Sequence, residues 1–385
     1  MSRRTSVDYD WDESDVRVRA NKKGSRPRTR QRPDYDDAVT GRVVTVDRGR
    51  YTAVVAEDTQ DERLVIAVRA KSLRRTPIVA GDMVGLVGDT SGAPDTLARL
   101  VMLQERSTLL RRSADDTDPV ERVVVANADQ LVIVVAAADP TPRTGFIDRS
   151  LTAGYDAGIE PLLCITKTDL SDPTWLIEHY RELDLTVLTS AGQAVSAGQV
   201  QAAGGVHTAQ DSPTPESAQT DDSPPLEPGM VETLREHLDG KVSTMLGHSG
   251  VGKSTLVNAL TGADRATGGV NAVTGRGRHT SSSALALRVP DTGPGTWIID
   301  TPGVRSFGLA HVDPDRIVES FDDLGEAIAQ CPKGCTHGAD APGCALDAWV
   351  EQGKVGAAGA ARLESLRRLL GSGRDDELSE KLLGS

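Results

Sequence analysis

Gly247-His248-Ser249-Gly250-Val251-Gly252-Lys253-Ser254-Thr255 fits the phosphate-binding pattern G-x-x-x-x-G-K-[ST] at every fixed position. Val242 to Leu246, just before it, reads as a short buried strand. Ser254 to Leu260 reads as a helix with Leu256, Val257 and Leu260 on an apolar side. A strand that runs through a glycine loop into a helix suits polyphosphate binding. Glycines let the backbone turn its N–H groups inward. The helix N-terminus adds about half a positive charge beneath them. Lys253 is placed to reach the outer phosphates, and the Ser254 hydroxyl to hold a magnesium ion.

Downstream, Asp300-Thr301-Pro302-Gly303 closes the apolar strand Trp297 to Ile299. Asp300 can bind magnesium through water, and the Gly303 N–H can bond a γ-phosphate. Upstream, Thr166-Lys167-Thr168-Asp169 lies just past the apolar strand Pro161 to Ile165. Asp169 can accept the N1–H and N2–H protons of guanine, while the Lys167 stem covers the base face. Adenine lacks that donor pair, so an unpaired Asp rejects it. Thr189-Ser190-Ala191 follows the next strand, where the Ala191 N–H can bond the guanine O6. Open parallel sheets bind ligands at such strand ends. The sequence therefore predicts a site for GTP or GDP with magnesium.

The motif order is unusual, because the base-reading segments precede the phosphate loop. A parallel sheet tolerates this if its termini are rejoined, so the order reads as a circular permutation. The segment after Gly303 then runs straight into the C-terminal element, and a γ-phosphate-dependent movement there could pull on it.

Before this region, short β-type runs occur at Val43–Val46, Tyr51–Ala56, Leu64–Val68, Met83–Val87 and Leu97–Leu103. They predict a small barrel over 39–112, of oligonucleotide-binding or SH3-like type. Residues 113–312 alternate strands and helices, which predicts a parallel sheet covered on both faces. Here Leu131–Ala136, Pro161–Thr166 and Leu185–Leu188 read as strands, and Phe146–Asp156 and Trp175–Leu183 as helices. Residues 192–228, rich in Gly, Ala, Gln, Ser, Pro and Asp, read as a disordered insertion. Residues 1–38 and 372–385 read as polar tails. Arg17, Arg19, Lys22, Lys23, Arg26, Arg28, Arg30 and Arg32 form a basic tract able to bind a phosphate backbone or simply to be solvated.

Cys331-x3-Cys335-x-His337-x6-Cys344, within the mostly helical stretch 313–371, suits one tetrahedral zinc ion. All four positions are filled by protein, so the site reads as structural rather than catalytic. Cys164 lies in an apolar strand and reads as a core residue. Arg362, Arg367 and Arg368 on the final helix read as facing RNA or solvent. No apolar run approaches the ~20 residues of a membrane span, and the N-terminus shows no signal-peptide pattern. The expectation is a cytoplasmic monomer with no membrane partner. The net charge of −13 argues against wholesale nucleic-acid binding.

The permuted order, the Gly-His-Ser-Gly-Val-Gly-Lys-Ser and Asp-Thr-Pro-Gly motifs and the C-terminal Cys/His cluster resemble the ribosome small-subunit-dependent GTPase A family. Asn127-Ala128-Asp129-Gln130 and Ile147-Asp148-Arg149 are similar too. The resemblance implies an N-terminal oligonucleotide-binding (OB) barrel, a permuted GTPase and a zinc module. It implies GTP hydrolysis in late maturation of the small ribosomal subunit, stimulated by that subunit, with the subunit and its rRNA as partners. It further points to Thr280 as a magnesium and γ-phosphate ligand and to His279 as the residue that orients the attacking water; a neutral imidazole can accept a hydrogen bond from water.

Departures from the family pattern are visible. Thr166 stands where the family usually has Asn, and Thr makes fewer bonds to brace the phosphate loop. The cysteine gaps are shifted by one residue in two places. Val304 follows Gly303, where many GTPases place a glutamine. No cis arginine is evident, so slow intrinsic turnover is expected. A nucleotide-gated RNA-binding module with incidental hydrolysis and a metabolic P-loop kinase are the alternative readings. No small-molecule acceptor site is evident for the kinase.

Overall fold

A computed structural model of the chain describes residues 35–112, 122–183, 185–190, 194–196, 228–262, 284–301, 313–355 and 359–371. The basic tract and most of the insertion lie outside them.

Five strands, β1 (Val39–Asp47), β2 (Arg50–Val55), β3 (Arg63–Arg69), β4 (Met83–Gly88) and β5 (Ala98–Leu103), build the N-terminal barrel. Their side chains alternate, as the period-2 pleat requires. In β3, Val65 and Ala67 are buried, with exposed Ile66 between them. β1 is long enough to pair with β2 over Gly41–Asp47 and with β4 over Val39–Arg42. β5 lies between β3, to which it is parallel, and β4, to which it is antiparallel. A consecutive meander would pair β3 with β4; this closure is that of an OB barrel, which decides between the two barrel types. Val43, Ala53, Val65, Leu86 and Leu100 fill its core.

β6 (Leu109–Arg112) and β7 (Arg122–Ala126) form a separate antiparallel hairpin across the expected boundary at 112. The sequence reading did not identify these strands. β8 (Gln130–Ala136), β9 (Glu160–Thr166), β10 (Thr186–Thr189), β12 (Val242–Gly247) and β14 (Trp297–Asp300) run parallel, in the spatial order β10-β9-β8-β12-β14. β8 and β12 are buried along their whole length, which is why β8 reads as a continuous apolar run; in β12 the buried Ser243 and Thr244 bond Gln130 and the Ile299 carbonyl. β13 (Leu285–Arg288) is antiparallel to β14 and meets β1 at Leu285–Thr45, so barrel and α/β sheet share hydrogen bonding.

Two expectations are corrected. β11 (Ala194–Ser196) pairs antiparallel with β10 inside the range expected to be disordered, because the edge of β10 offers it backbone partners. The helix expected through Leu183 ends early: α2 spans Thr174–His179. Tyr180 leaves the helix and is fully buried, its hydroxyl donating to Asp148 Oδ1 at 2.9 Å.

α1 (Thr144–Ala157) packs on β8 and β9, while α3 (Pro228–Leu238) and α4 (Lys253–Thr261) lie together. At the C-terminal end, α5 (Pro314–Glu319) starts where the Asp313 side chain accepts from the Asp315 N–H and Pro314 presets the first turn. α6 (Asp322–Gly325), α7 (Ala345–Glu351) and α8 (Gly359–Gly371) follow. α5 and α8 both rest on α1. Arg316 donates to the Asp156 carbonyl at 2.9 Å, and Tyr155 meets Phe321 at 5.9 Å.

Candidate nucleotide site and metal cluster

The phosphate loop connects β12 to α4 on the edge where the parallel strands end. Gly247 is required by its surroundings: a Cβ there would stand 2.8 Å from the Val134 carbonyl oxygen. Gly250 and Gly252 adopt φ of 85° and 86°, open to glycine at no steric cost. Val251 is buried, while Ser249 and Ser254 are exposed and Thr255 is half-buried. His248 packs against Phe146 of α1 with ring centroids 4.2 Å apart and the rings tilted by 49°. Burial, then the nearby Arg143, holds the His248 imidazole below its ordinary pKa.

Lys253 is buried. Its Nζ donates to the Thr301 carbonyl at 2.8 Å and to Asp300 Oδ1. Thr301 in turn donates to the Met245 carbonyl at 2.7 Å, so the end of β14 is tied to β12. Ser254, which follows Lys253, and Asp300, which bonds it, offer hard oxygen donors of the kind that suits a magnesium ion.

Thr166 braces the phosphate loop. Its hydroxyl lies 2.6 Å from the Val251 carbonyl oxygen and 3.1 Å from that of Val135. Its single proton serves one carbonyl well at a time. Lys167 has a φ of 55°, and its Nζ donates to the Asp139 carbonyl at 2.5 Å. The Thr168 N–H donates to Ser190 Oγ at 3.0 Å, and the two hydroxyls are 2.6 Å apart. The two segments expected to read the base are thereby fastened to each other. Asp169 is exposed and borders a cavity of about 420 Å³ lined also by Leu170, Ile177 and Thr189. Ala191, His279, Thr280 and Gly303 lie outside the described residues.

The Cys331, Cys335 and Cys344 sulfurs and one His337 nitrogen lie within 4.8 Å of one another. His337 Nδ1 is 3.7 Å from Cys331 Sγ and 3.8 Å from Cys344 Sγ, as two ligands of one tetrahedral ion would be. The other ring nitrogen, Nε2, is 2.7 Å from Asp315 Oδ1, a carboxylate that fixes the tautomer and strengthens the imidazole as a ligand. The cluster could hold a metal ion. Without one, burial and the neighbouring thiols push the Cys344 thiol up to about 11. Cys164 is fully buried, and burial raises its thiol pKa strongly, as an inert core residue requires.

The sequence reading missed the carboxylate of Asp315, because nothing in its local pattern marks it. The expectation for the α8 arginines is also corrected. Arg362 donates to the Glu182 carbonyl and to Asp323, Arg367 holds Asp347 bidentately, and Arg368 faces Asp148. They join helices rather than face RNA or solvent. The Asn127 motif is structural in the same way: Asn127 accepts from the Ser107 N–H and donates to the Gly81 carbonyl, while Asp129 caps the start of β12 at the Val242 N–H.

A phosphate loop braced by Thr166 at the end of β9, on a sheet whose motifs come in rotated order, defines a circularly permuted P-loop fold. The RsgA GTPase family model matches residues 103–203 and 225–310. The chain belongs to this family. It is 36% identical over 262 residues to the protein named small ribosomal subunit biogenesis GTPase RsgA of Ectopseudomonas mendocina (strain ymp). That alignment covers 66% of this chain and 64% of the relative's length. The crystal structure of YjeQ from Thermotoga maritima is similar with a TM-score of 0.53 and 23% identity, over 86% of this chain and 99% of that one. YloQ, described as a circularly permuted GTPase, is similar with a TM-score of 0.52 and 19% identity, over 89% of this chain and 97% of that one. At these identities the two structures speak to the fold.

Proposed function

We propose that this chain is a GTP hydrolase that binds the small ribosomal subunit in a GTP-dependent way during its late maturation, and is stimulated by it. The relative from Ectopseudomonas is named for that process. The observation that carries the nucleotide part is the hydroxyl of Thr166, which joins the guanine-reading segment to the phosphate loop at Val251. One rigid edge can then hold base and phosphates together.

The proposed division is a barrel over 39–112, a permuted GTPase over 113–312 and a metal-binding helical module over 313–371. The backbone of Gly247 to Thr255 wraps the phosphates, Asp169 reads guanine with Ser190 and Ala191 beside it, and Lys253 stabilises charge on the outer phosphates. Ser254, Thr280 and Asp300 would hold magnesium, which would supply positive charge at the phosphate oxygens. His279 orients the attacking water, and Gly303 senses the γ-phosphate. Cys331, Cys335, His337 and Cys344 would hold one zinc ion, whose role is to fix the C-terminal helices.

Hydrolysis measured with small subunits, with large subunits and with neither tests the partner. Strong stimulation by the small subunit alone supports it, and an unchanged rate removes it. Asp169→Asn tests the base. Its amide presents a donor to guanine N1–H, so GTP affinity is expected to fall by about 100-fold or more, whereas xanthosine triphosphate, which offers a carbonyl there, should bind better than to the wild type.

A further inference from the structure

The segment between β8 and α1 lies along the phosphate loop. On the base side, its Asp139 carbonyl receives the Lys167 ammonium. At the loop's tip, a Cβ built on Gly250 would stand 3.8 Å from Pro140 Cδ. Next to the end of β12, the Phe146 ring packs at a tilt against His248. Arg143 is the N-cap residue of α1, three positions before Phe146. Its backbone there is extended, at the point where the chain enters the helix. The Arg143 guanidinium is close enough to His248 to disfavour a proton on the imidazole, yet the side chain is exposed.

Among the described residues, two other cations border the same loop, and both are engaged. Lys253 is held by Asp300 and the Thr301 carbonyl, and Lys167 by the Asp139 carbonyl. Arg143 makes no ion pair with a carboxylate among the described residues. An arginine stem is long enough to cross the width of a glycine loop, and its planar fork matches two oxygens of one phosphate group.

We propose that Arg143 reaches over the phosphate loop and binds the γ-phosphate of GTP as a catalytic cation supplied by the chain itself. This rests on the GTP hydrolase reading above, and it replaces the expectation that no cis arginine serves the reaction. In that reaction the water oxygen forms a bond to the γ-phosphorus. The bond from that phosphorus to the β–γ bridging oxygen breaks, and its electron pair leaves on GDP. The water proton passes to solvent or phosphate, giving GDP, inorganic phosphate and one proton. Negative charge moves onto the bridging oxygen as the bond opens. A guanidinium forked between a γ-oxygen and that bridging oxygen meets the charge more strongly in the transition state than in bound GTP.

The test is single-turnover GTP hydrolysis by the full chain with magnesium, alongside GDP affinity, for the wild type, Arg143→Gln and Arg143→Lys. The side chain is exposed, so neither variant opens a cavity. Arginines that act this way accelerate hydrolysis by about 10³–10⁵. An exposed one is screened by water, so Arg143→Gln is expected to slow the chemical step by about tenfold or more while GDP affinity stays within about threefold. Arg143→Lys should recover part of the rate. If the wild type hydrolyses GTP and Arg143→Gln keeps its rate, the inference is overturned and the hydrolase reading stands. The same holds if rate and GDP affinity fall by one factor, because Arg143 then only shapes the loop. If the wild type does not hydrolyse GTP, both fall.

Discussion

Arg368 of α8 lies 3.5 Å from the carboxylate of Asp148 on α1, joining the C-terminal helices to the nucleotide-binding sheet. Asp148 is only 5% exposed and takes a second bond from the Tyr180 hydroxyl, while the Arg368 guanidinium lies over the Tyr180 ring at 5.3 Å. The preceding residue, Arg367, turns the other way, to Asp347 and the His337 carbonyl. Adjacent residues of α8 therefore fasten α1 and the metal cluster to one rod. The first turn of α1 touches the phosphate loop at His248, so a continuous packed route runs from nucleotide site to cluster.

Arg368→Ala is expected to lower folding stability. Removing one partner of a buried pair costs about 3–5 kcal/mol, and partial exposure of Arg368 brings the expectation down to about 2–3 kcal/mol. Urea denaturation of the full chain measures this. A change below about 0.5 kcal/mol, the range of an ordinary surface substitution, would mean that water already screens the pair.

Acidification should destabilise the protein through two imidazoles. Burial lowers the pKa of His179, with Arg368 adding to the effect, and burial with Arg143 does the same for His248. Folded, both bind a proton less readily than in the unfolded chain. Their contribution is complete above the ordinary histidine value of about 6.5 and is lost as pH falls below it, where the unfolded chain takes up protons first. Asp148 acts in the opposite sense, since burial raises its pKa and the folded state holds that proton more tightly as the pH drops toward the carboxylate range. Melting temperatures at pH 7.5, 6.5 and 5.5 should fall in that order, and less steeply in His179→Phe. A profile unchanged by that substitution would remove His179 from the account.

Metal removal should loosen the C-terminal helices before the sheet. The Asp315 carboxylate on α5 bonds His337, and Arg367 on α8 bonds the His337 carbonyl, so both helices lean on the cluster. Cys344→Ser, or a strong chelator, is expected to raise amide exchange over 345–371 while the buried strand β12 stays protected. Because the metal-free Cys344 thiol is pushed up to about 11, the ion must displace a proton, and the apparent metal affinity should fall as pH is lowered. Uniform exchange along the chain after chelation would contradict a local role.

The phosphate loop was legible because its chemistry is local: the glycines, Lys253 and Ser254 must be consecutive to wrap one phosphate group. The parallel strands were legible because burial on both faces leaves continuous apolar runs such as Leu131 to Ala136. What was missed depends on residues far apart in sequence. β6 and β7 are held by each other: Leu109 to Arg112 is too short to announce a strand, and the run Val123 to Ala126 gains its partner only from that pairing. The end of α2 is set by Tyr180 reaching Asp148, 32 positions away. The α8 arginines looked solvent-facing because their partners Glu182, Asp323 and Asp148 belong to other elements. Closure of the barrel through β3 and β5 likewise lies beyond any local pattern.

Thr166 gives the sharpest test of the nucleotide site. Its hydroxyl faces the Val251 carbonyl at 2.6 Å and the Val135 carbonyl at 3.1 Å, but carries one proton. Thr166→Val keeps the shape and removes the donor, leaving the Val251 carbonyl without that partner. The loss is expected to be about 1–2 kcal/mol, or roughly tenfold in affinity. It should be nearly equal for GDP and for a non-hydrolysable GTP analogue, because the brace sets the loop rather than touching the γ-phosphate. Thr166→Asn offers two N–H donors and can serve both carbonyls at once, so affinity should at least match the wild type. Titration with a fluorescent guanine nucleotide separates these cases. Equal affinity in Thr166→Val and the wild type would show that the glycine loop holds its shape unaided, and that the connection from base reader to phosphate loop carries no energy.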